Sequence, residues 1–199
     1  MPDARITSTQ FEKYLAEAQV LALDAITAFG LFYFLTSPKQ KTKYAEVLAK
    51  HKQVFSLMPP AAFSTLILSL HKLFEEARNP VSIYRCISMA SQLSLISPER
   101  AKSLKSRMKS VRPVCKKVAE VRHHLVAHRD CVIPISKVFE NAKVAPRDLR
   151  ELTLAYWEVL NALKVETGQS PFDADRCCKL LLGDLESFMT DLLYAAKRR

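Results

Sequence analysis

Apolar residues recur every three or four positions along most of this chain, and this spacing limits the fold more than any other feature. It places the residues on one face of an α-helix. Three stretches show it clearly: Phe11, Leu15, Ala18, Ala22, Ala25, Phe29 and Phe32; then Phe63, Leu66, Leu70, Leu73 and Ala77; then Leu149, Leu152, Tyr156, Leu160 and Leu163. No stretch shows the strict alternation that is typical of a β-strand. The sequence therefore predicts an all-α protein with a long N-terminal helix.

Prolines and capping residues predict where the helices begin and end. The chain has ten prolines and only three glycines, and most prolines lie at the start of an apolar stripe. We expect the first helix to begin with a capping box of Thr9 and Glu12. Pro59-Pro60 should end the second helix, and Asn79-Pro80 and Ser97-Pro98 should start later ones.

The second half of the chain follows the same rules. Pro113 opens a helix that we call the motif helix, predicted over 113–130, and Pro146 opens the next, with residues 130–145 expected to be irregular. Ser170 or Asp173 should cap a last helix, whose inward residues are predicted to be Leu180, Leu181, Leu185, Phe188, Leu192 and Leu193. We expect one domain, 1–199, with an N-terminal helical pair (1–58) and a core (60–199).

Positive charge is concentrated in one part of the sequence. The formal net charge is +10, and residues 100–129 contain ten Lys or Arg with Glu120 as the single acidic residue, which makes +9. Such a patch favours a polyanionic partner, nucleic acid first and an acidic membrane second. A solvated basic face without a partner is the remaining interpretation.

Cysteine usage and apolar run lengths indicate the compartment. The five cysteines are odd in number and form no Cys-x-x-Cys pair, and no opening stretch resembles a signal peptide. Val20–Leu35 is strongly apolar but contains Asp24 and is shorter than the about 20 residues that span a bilayer. We therefore expect a cytoplasmic protein without a membrane partner, in which this stretch is a core helix.

The motif helix ends in an unusual cluster of polar residues. Val114, Val118, Val121 and Leu125 form its apolar stripe, and the next position of that stripe is His128. Arg122 lies at the edge of the stripe, about 120° around an ideal helix and about 9 Å along it from His128. The two side chains can meet only if the helix unwinds, or if another element or another copy of the chain completes the site. Near a helix end the exposed carbonyls favour the charged imidazolium of His128, so that it can act as acid or base.

This cluster resembles the signature of the HEPN superfamily, an Arg and a His four to six residues apart at the end of a helix. Here the motif is Arg-x5-His followed by Arg129-Asp130. Three further segments, Phe63–Glu75, Ser82–Arg85 and Leu152–Leu163, resemble the abortive-infection branch of that superfamily, so that the likeness covers about residues 60–165. The chain departs from the pattern at His71–Glu75, where the resemblance implies an Arg and an Asp.

The resemblance implies an up-and-down helical bundle and a metal-independent RNA endonuclease, acting as a toxin or phage-defence effector. Arg122 and His128 would cleave RNA through attack of the 2′-hydroxyl, leaving a 2′,3′-cyclic phosphate, in a homodimer that brings two motif helices together. The resemblance implies no cofactor. It does imply a regulatory partner, such as an antitoxin that could be a neighbouring nucleotidyltransferase. The supporting residues would be His123, His124 and Asp130. The residues that contact RNA would be Arg112, Lys116, Lys117 and Arg129.

Two alternatives remain open on the residues alone, and a metal site is considered beside them. The chain could be a non-catalytic helical module of the same fold that binds RNA or a protein through its basic face. Arg122, His128 and Asp130 could form a buried cluster that only secures the end of the helix. Glu120, His124 and His128 lie at i, i+4 and i+8, near Cys115 and Cys131, but a structural zinc site usually needs a second close pair of ligands. We therefore predict no metal.

Overall fold

The fold is taken from a computed structural model, which describes residues 6–75, 81–127 and 135–197. These residues form ten α-helices and no strand: α1 (Ser8–Thr36), α2 (Pro38–Lys43), α3 (Ala45–Lys50), α4 (Lys52–Phe74), α5 (Ile83–Gln92), α6 (Pro98–Ser110), α7 (Arg112–Ala127), α8 (Ile135–Ala142), α9 (Pro146–Glu166) and α10 (Ala174–Lys197). The predicted all-α fold with a long N-terminal helix is confirmed.

Short polar side chains cap several of these helices. The Ser97 hydroxyl accepts a hydrogen bond from the backbone N–H of Arg100, as predicted, and the Asp173 carboxylate accepts one from Arg176 at the start of α10. The start of α1 was predicted two residues too late, because Thr7 and Gln10 form the reciprocal capping pair. The predicted start of α5 at Pro80 was also wrong. The Ser82 hydroxyl accepts a hydrogen bond from the backbone N–H of Arg85, and the helix begins at Ile83. Asn79 and Pro80 lie outside the described residues.

The predicted break at Pro59-Pro60 is wrong. Both prolines lie inside α4, and the chain leaves helical geometry earlier, at Tyr44 and His51. A proline inside a helix removes one hydrogen bond and costs about 3 kcal/mol. Packing on both sides of the pair offsets this cost, because Phe55 and Met58 pack against a buried cluster and Phe63 is fully buried. The predicted irregular stretch 130–145 is also wrong in part, since α8 occupies Ile135–Ala142.

Contacts divide the chain into two compact units, and the boundaries fall within α1, within α4 and between α9 and α10. The first unit comprises Met1–Leu23 and Ile67–Phe172. Helix α9 is its central element and packs against α5, α6 and α7. The predicted stripe of α9 is confirmed, because all five of its residues are buried, and Leu70 and Leu73 of α4 are buried as predicted. This unit contains the motif helix, which corresponds to α7.

The second unit comprises Asp24–Leu66 and Asp173–Arg199. Its core cluster consists of Phe34, Leu35, Tyr44, Val47 and Met189. Two of the residues predicted to face inward on α10 are exposed, Leu180 at 59% and Phe188 at 54%. The helix has more apolar positions than one face can hold, and Met189 with its partly buried neighbours Leu182, Leu185, Leu192 and Leu193 forms the packed side. The prediction of a single domain over 1–199 stays a prediction.

Two of the described helices, α1 and α4, are long and apolar enough to cross a membrane. Core helices of soluble proteins meet the same criterion of length and composition. In the most apolar 18-residue stretch of α1, half of the residues are buried inside the protein, among them Ala22, Ala25 and Ile26. The burial agrees with the core role that was predicted for Val20–Leu35.

Candidate functional site

Helix α7 is held in the first unit by one buried face. Cys115, Val118 and Val121, together with Val111 directly before the helix, are at most 1% exposed. The hydroxyl of Tyr156 on α9 donates to the backbone carbonyl of Leu70 on α4 at 3.2 Å and lies 3.6 Å from the Cys115 sulfur. This buried contact joins α4, α7 and α9. The predicted stripe is therefore confirmed at Val118 and Val121, while Val114 is half-buried.

Cys115 belongs to this packing and is unsuited to nucleophilic chemistry. Burial raises the pKa of its thiol to about 11, with the Tyr156 hydrogen bond opposing the shift. Burial likewise raises the pKa of the Cys86 thiol to about 12. Because the thiolate is the reactive form, both thiols stay protonated and inert at neutral pH.

Arg122 continues the buried face of α7 toward its C-terminal end. It is half-buried and lies on the helix about 40° from Val118 and about 20° from Cys115. Its charge acts on His71 of α4, whose side chain is 16% exposed and whose Nδ1 lies 3.8 Å from a carboxylate oxygen of Glu75. His71 therefore interacts electrostatically both with Glu75 in the next turn and with Arg122 of α7, which lies 51 residues further along the sequence.

His71 is a site residue that the sequence analysis did not select. In the sequence it appears only as a departure from the family pattern, at a position beside the buried Leu70. Burial lowers its pKa, Arg122 lowers it further, and Glu75 opposes both effects. The imidazole is therefore held neutral beside the Arg122 cation.

We expect this histidine to make the protein acid-sensitive. Because the pKa of His71 is lower in the folded protein, the unfolded chain binds the proton more readily. The contribution of His71 to the free energy of unfolding is therefore fully present above the ordinary histidine pKa of about 6.5 and is lost as the pH falls below it. Urea unfolding of wild type and His71→Gln at pH 8 and pH 5.5 measures this. The wild type should lose more stability between the two pH values than the variant. Equal losses would contradict the assigned cause.

The other predicted histidines differ from Arg122 in their surroundings. His123 and His124 are exposed, and their ring centres lie 6.1 Å apart with the rings steeply inclined. His128, Arg129 and Asp130 lie outside the described residues, so the distance between Arg122 and His128 stays a prediction. Within the described ranges, no group of three or more His, Cys, Asp or Glu is placed to hold a metal ion.

The basic patch of residues 100–129 is partly paired with acids that its own sequence does not contain. Arg100 Nε donates to Glu166 at 3.0 Å, and Arg107 Nε donates to Glu158. Both carboxylates belong to α9. The sequence count of +9 therefore overstates the charge that this surface offers to a partner.

The predicted RNA contacts fall into two groups. Arg112 and Lys116 are exposed on α7. Lys117 instead donates to the backbone carbonyl of Lys143 at 2.8 Å and lies 3.6 Å from Asp148, the residue whose carboxylate accepts from the N–H of Ala145 at the start of α9. Lys117 therefore joins α7 to the segment that precedes α9.

We expect Lys117→Ala to lower the free energy of unfolding by about 1 kcal/mol, because a charge-assisted hydrogen bond and a partly exposed ion pair are lost together. The matched control is Lys116→Ala, one residue away and exposed, which should change stability by less than about 0.5 kcal/mol. Urea unfolding of the two variants measures the difference. Equal stability of both would show that the Lys117 contacts contribute nothing.

The comparisons with known proteins agree with this architecture. Residues 11–186 match the HEPN AbiU2 family. No curated protein and no solved structure matches the chain. The match includes α7 with Arg122 and extends over most of the helices in both units. Since it covers far more than half of the sequence, the chain belongs to the HEPN AbiU2 family and is a HEPN-domain protein of the abortive-infection type.

Proposed function

We propose that this protein is a metal-independent RNA endonuclease that acts as a toxin or phage-defence effector in the cytoplasm. The observation that carries the proposal is the half-buried Arg122 at the end of the buried face of α7, in a chain of the HEPN AbiU2 family. His128, six residues later, is proposed as the second catalytic residue. His123, His124 and Asp130 are proposed as supporting residues.

The proposed reaction needs only groups that this chain supplies. The 2′-hydroxyl oxygen attacks the adjacent phosphorus, and the bond from phosphorus to the 5′-oxygen breaks. A base removes the proton of the 2′-hydroxyl and an acid protonates the departing 5′-oxygen, which gives a 2′,3′-cyclic phosphate and a 5′-hydroxyl. Histidine can do either step near neutral pH, and His128 is assigned this role.

Arg122 is assigned to the phosphate. A guanidinium can grip two phosphate oxygens at once, and it stabilises the charge that accumulates on them in the transition state. Half-burial strengthens this interaction relative to a fully solvated cation. The lowered pKa of His71 favours its neutral form, so that this imidazole adds no further positive charge to that of Arg122 near neutral pH.

We further propose that the active species is a homodimer with composite sites. Arg122 and His128 project about 120° apart on an ideal helix, so a second motif helix is the simplest way to bring an arginine and a histidine to one phosphate. The two-fold contact would be isologous. An antitoxin or another regulatory partner would restrain the enzyme in the cell.

The test is RNA cleavage by the purified protein in excess EDTA. We expect cleavage to persist without divalent metal and the products to carry 2′,3′-cyclic phosphate and 5′-hydroxyl ends, identified by end-labelling and mass spectrometry. Binding of RNA without cleavage would favour the non-catalytic module. Cleavage that disappears in EDTA and returns with a metal ion would contradict the proposed chemistry.

A further inference from the structure

Helix α6 presents a row of lysines on the side away from its ion pairs. Lys102, Lys105 and Lys109 are exposed and lie within about 60° of one another around the helix, over a length of about 10 Å. We call these three residues the lysine ridge. Arg100 and Arg107, which pair with acids of α9, lie about 180° away from the ridge on the opposite flank of α6. The flank of α6 that carries Arg100 and Arg107 is therefore neutralised, whereas the flank that carries the lysine ridge remains charged.

No ion pair joins the ridge to any carboxylate within the described part of the chain. The nearest acid on α6 is Glu99, about one quarter of a turn away from the ridge. The pKa of Glu99 is lowered by its own backbone N–H and by the Ser97 hydroxyl, so that this carboxylate already serves the start of the helix. Three lysines in a row with mutual repulsion and no compensating acid are best explained by an anionic partner.

The side chains around the ridge indicate which kind of polyanion fits. Helices that bind a membrane surface insert an apolar face, whereas the apolar residues of α6, Ala101, Leu104 and Met108, are buried inside the protein. Ser106 is exposed beside the lysines, about 40° from Lys102 around the helix. Lysine and serine are suited to the phosphate oxygens of a nucleic-acid backbone.

We propose that the lysine ridge binds the backbone of the RNA substrate and extends the binding surface from Arg112 and Lys116 of α7 onto α6. The same spacing of three and four residues joins Lys102, Lys105, Lys109, Arg112 and Lys116 in the sequence, across the turn at Val111. The inference rests on the proposed function for the identity of the polymer. It assigns substrate contacts to a helix other than the one that carries Arg122.

The experiment measures binding of a fully 2′-O-methylated single-stranded RNA, which cannot undergo 2′-hydroxyl attack, as a function of salt. The test variant is the triple substitution Lys102→Gln, Lys105→Gln, Lys109→Gln. The control is Lys41→Gln, Lys50→Gln, Lys52→Gln, which removes the same charge from exposed lysines of α2, α3 and α4. Circular dichroism checks that both proteins keep their helix content.

We expect the ridge variant to reduce the slope of log Kd against log salt by about 2, since each contact with a single strand contributes about 0.7. At low salt its affinity should fall about tenfold or more, while the control binds like wild type. Equal changes in the two variants would overturn the proposal, because only net charge would matter. Wild-type affinity in the ridge variant would overturn it too.

Two further measurements separate this inference from the proposed function. If the wild-type protein binds the RNA through the lysine ridge but cleaves no unmodified RNA, the binding role of the ridge is supported and the proposed endonuclease activity is contradicted. If the wild-type protein cleaves RNA and the ridge variant binds and cleaves it equally well, the endonuclease activity is supported and the binding role of the ridge is contradicted. Vesicles containing phosphatidylserine provide the last arm: loss of vesicle binding in the ridge variant with unchanged RNA binding would assign the ridge to a membrane and overturn the proposal.

Discussion

RNA cleavage by the Arg122→Ala protein and by the His128→Ala protein is expected to be about 10³-fold slower than wild type in each case. Losing a preorganised cation on the phosphate costs about 10² to 10³ in rate, and losing a general acid or base costs about 10² to 10⁴. Initial rates on a labelled RNA in EDTA measure the effect. Both variants should keep their helix content, because the fully buried residues of α7, Cys115, Val118 and Val121, are unchanged.

Two further variants test the assignment of Arg122. Arg122→Lys should recover little activity, because an ammonium cannot make the bidentate grip of a guanidinium. Arg150→Ala, an exposed arginine on α9, is the control for the loss of one positive charge and should remain active. Full activity in His128→Ala would rule out His128 as acid or base.

Mixing the two inactive proteins should restore activity if each site takes Arg122 from one protomer and His128 from the other. In a heterodimer of Arg122→Ala with His128→Ala, one site lacks both groups and the other keeps both. Each heterodimer should then have about half of the wild-type rate, with normal RNA affinity because the basic surface is intact. Differently tagged chains, coexpressed and purified through both tags, provide the heterodimer.

The controls for this experiment are the two homodimers, which should stay inactive under the same conditions. Crosslinking confirms that the doubly tagged sample contains one copy of each chain. A heterodimer as inactive as its parents means that both groups must come from one chain or that one cleft needs all four. A wild-type protein that sediments as a monomer at micromolar concentration and still cleaves RNA would exclude the shared site.

Features that depend on near neighbours in the chain could be predicted from the sequence. The periodic apolar positions of α9, and Val118 and Val121 of α7, are buried where the spacing predicts, because a helix places residues three and four apart on one face whatever surrounds it. Ser97 and Asp173 cap their helices because the side chain reaches N–H groups only three residues ahead. The family resemblance rests on the same local residues, among them Arg122, and the match over 11–186 confirms it.

Features that depend on distant residues were decided only by the tertiary structure. Arg100, Arg107 and Lys117 form ion pairs with acids of α9, and the charge of Arg122 acts on His71 of α4, although nothing close in the sequence indicates either interaction. Pro59 and Pro60 stay helical because packing offsets a local cost, and α10 exposes Leu180 because Met189 occupies the packed side. Helical periodicity shows which residues share a face, but contact between helices decides which face is buried and which charges remain for a partner.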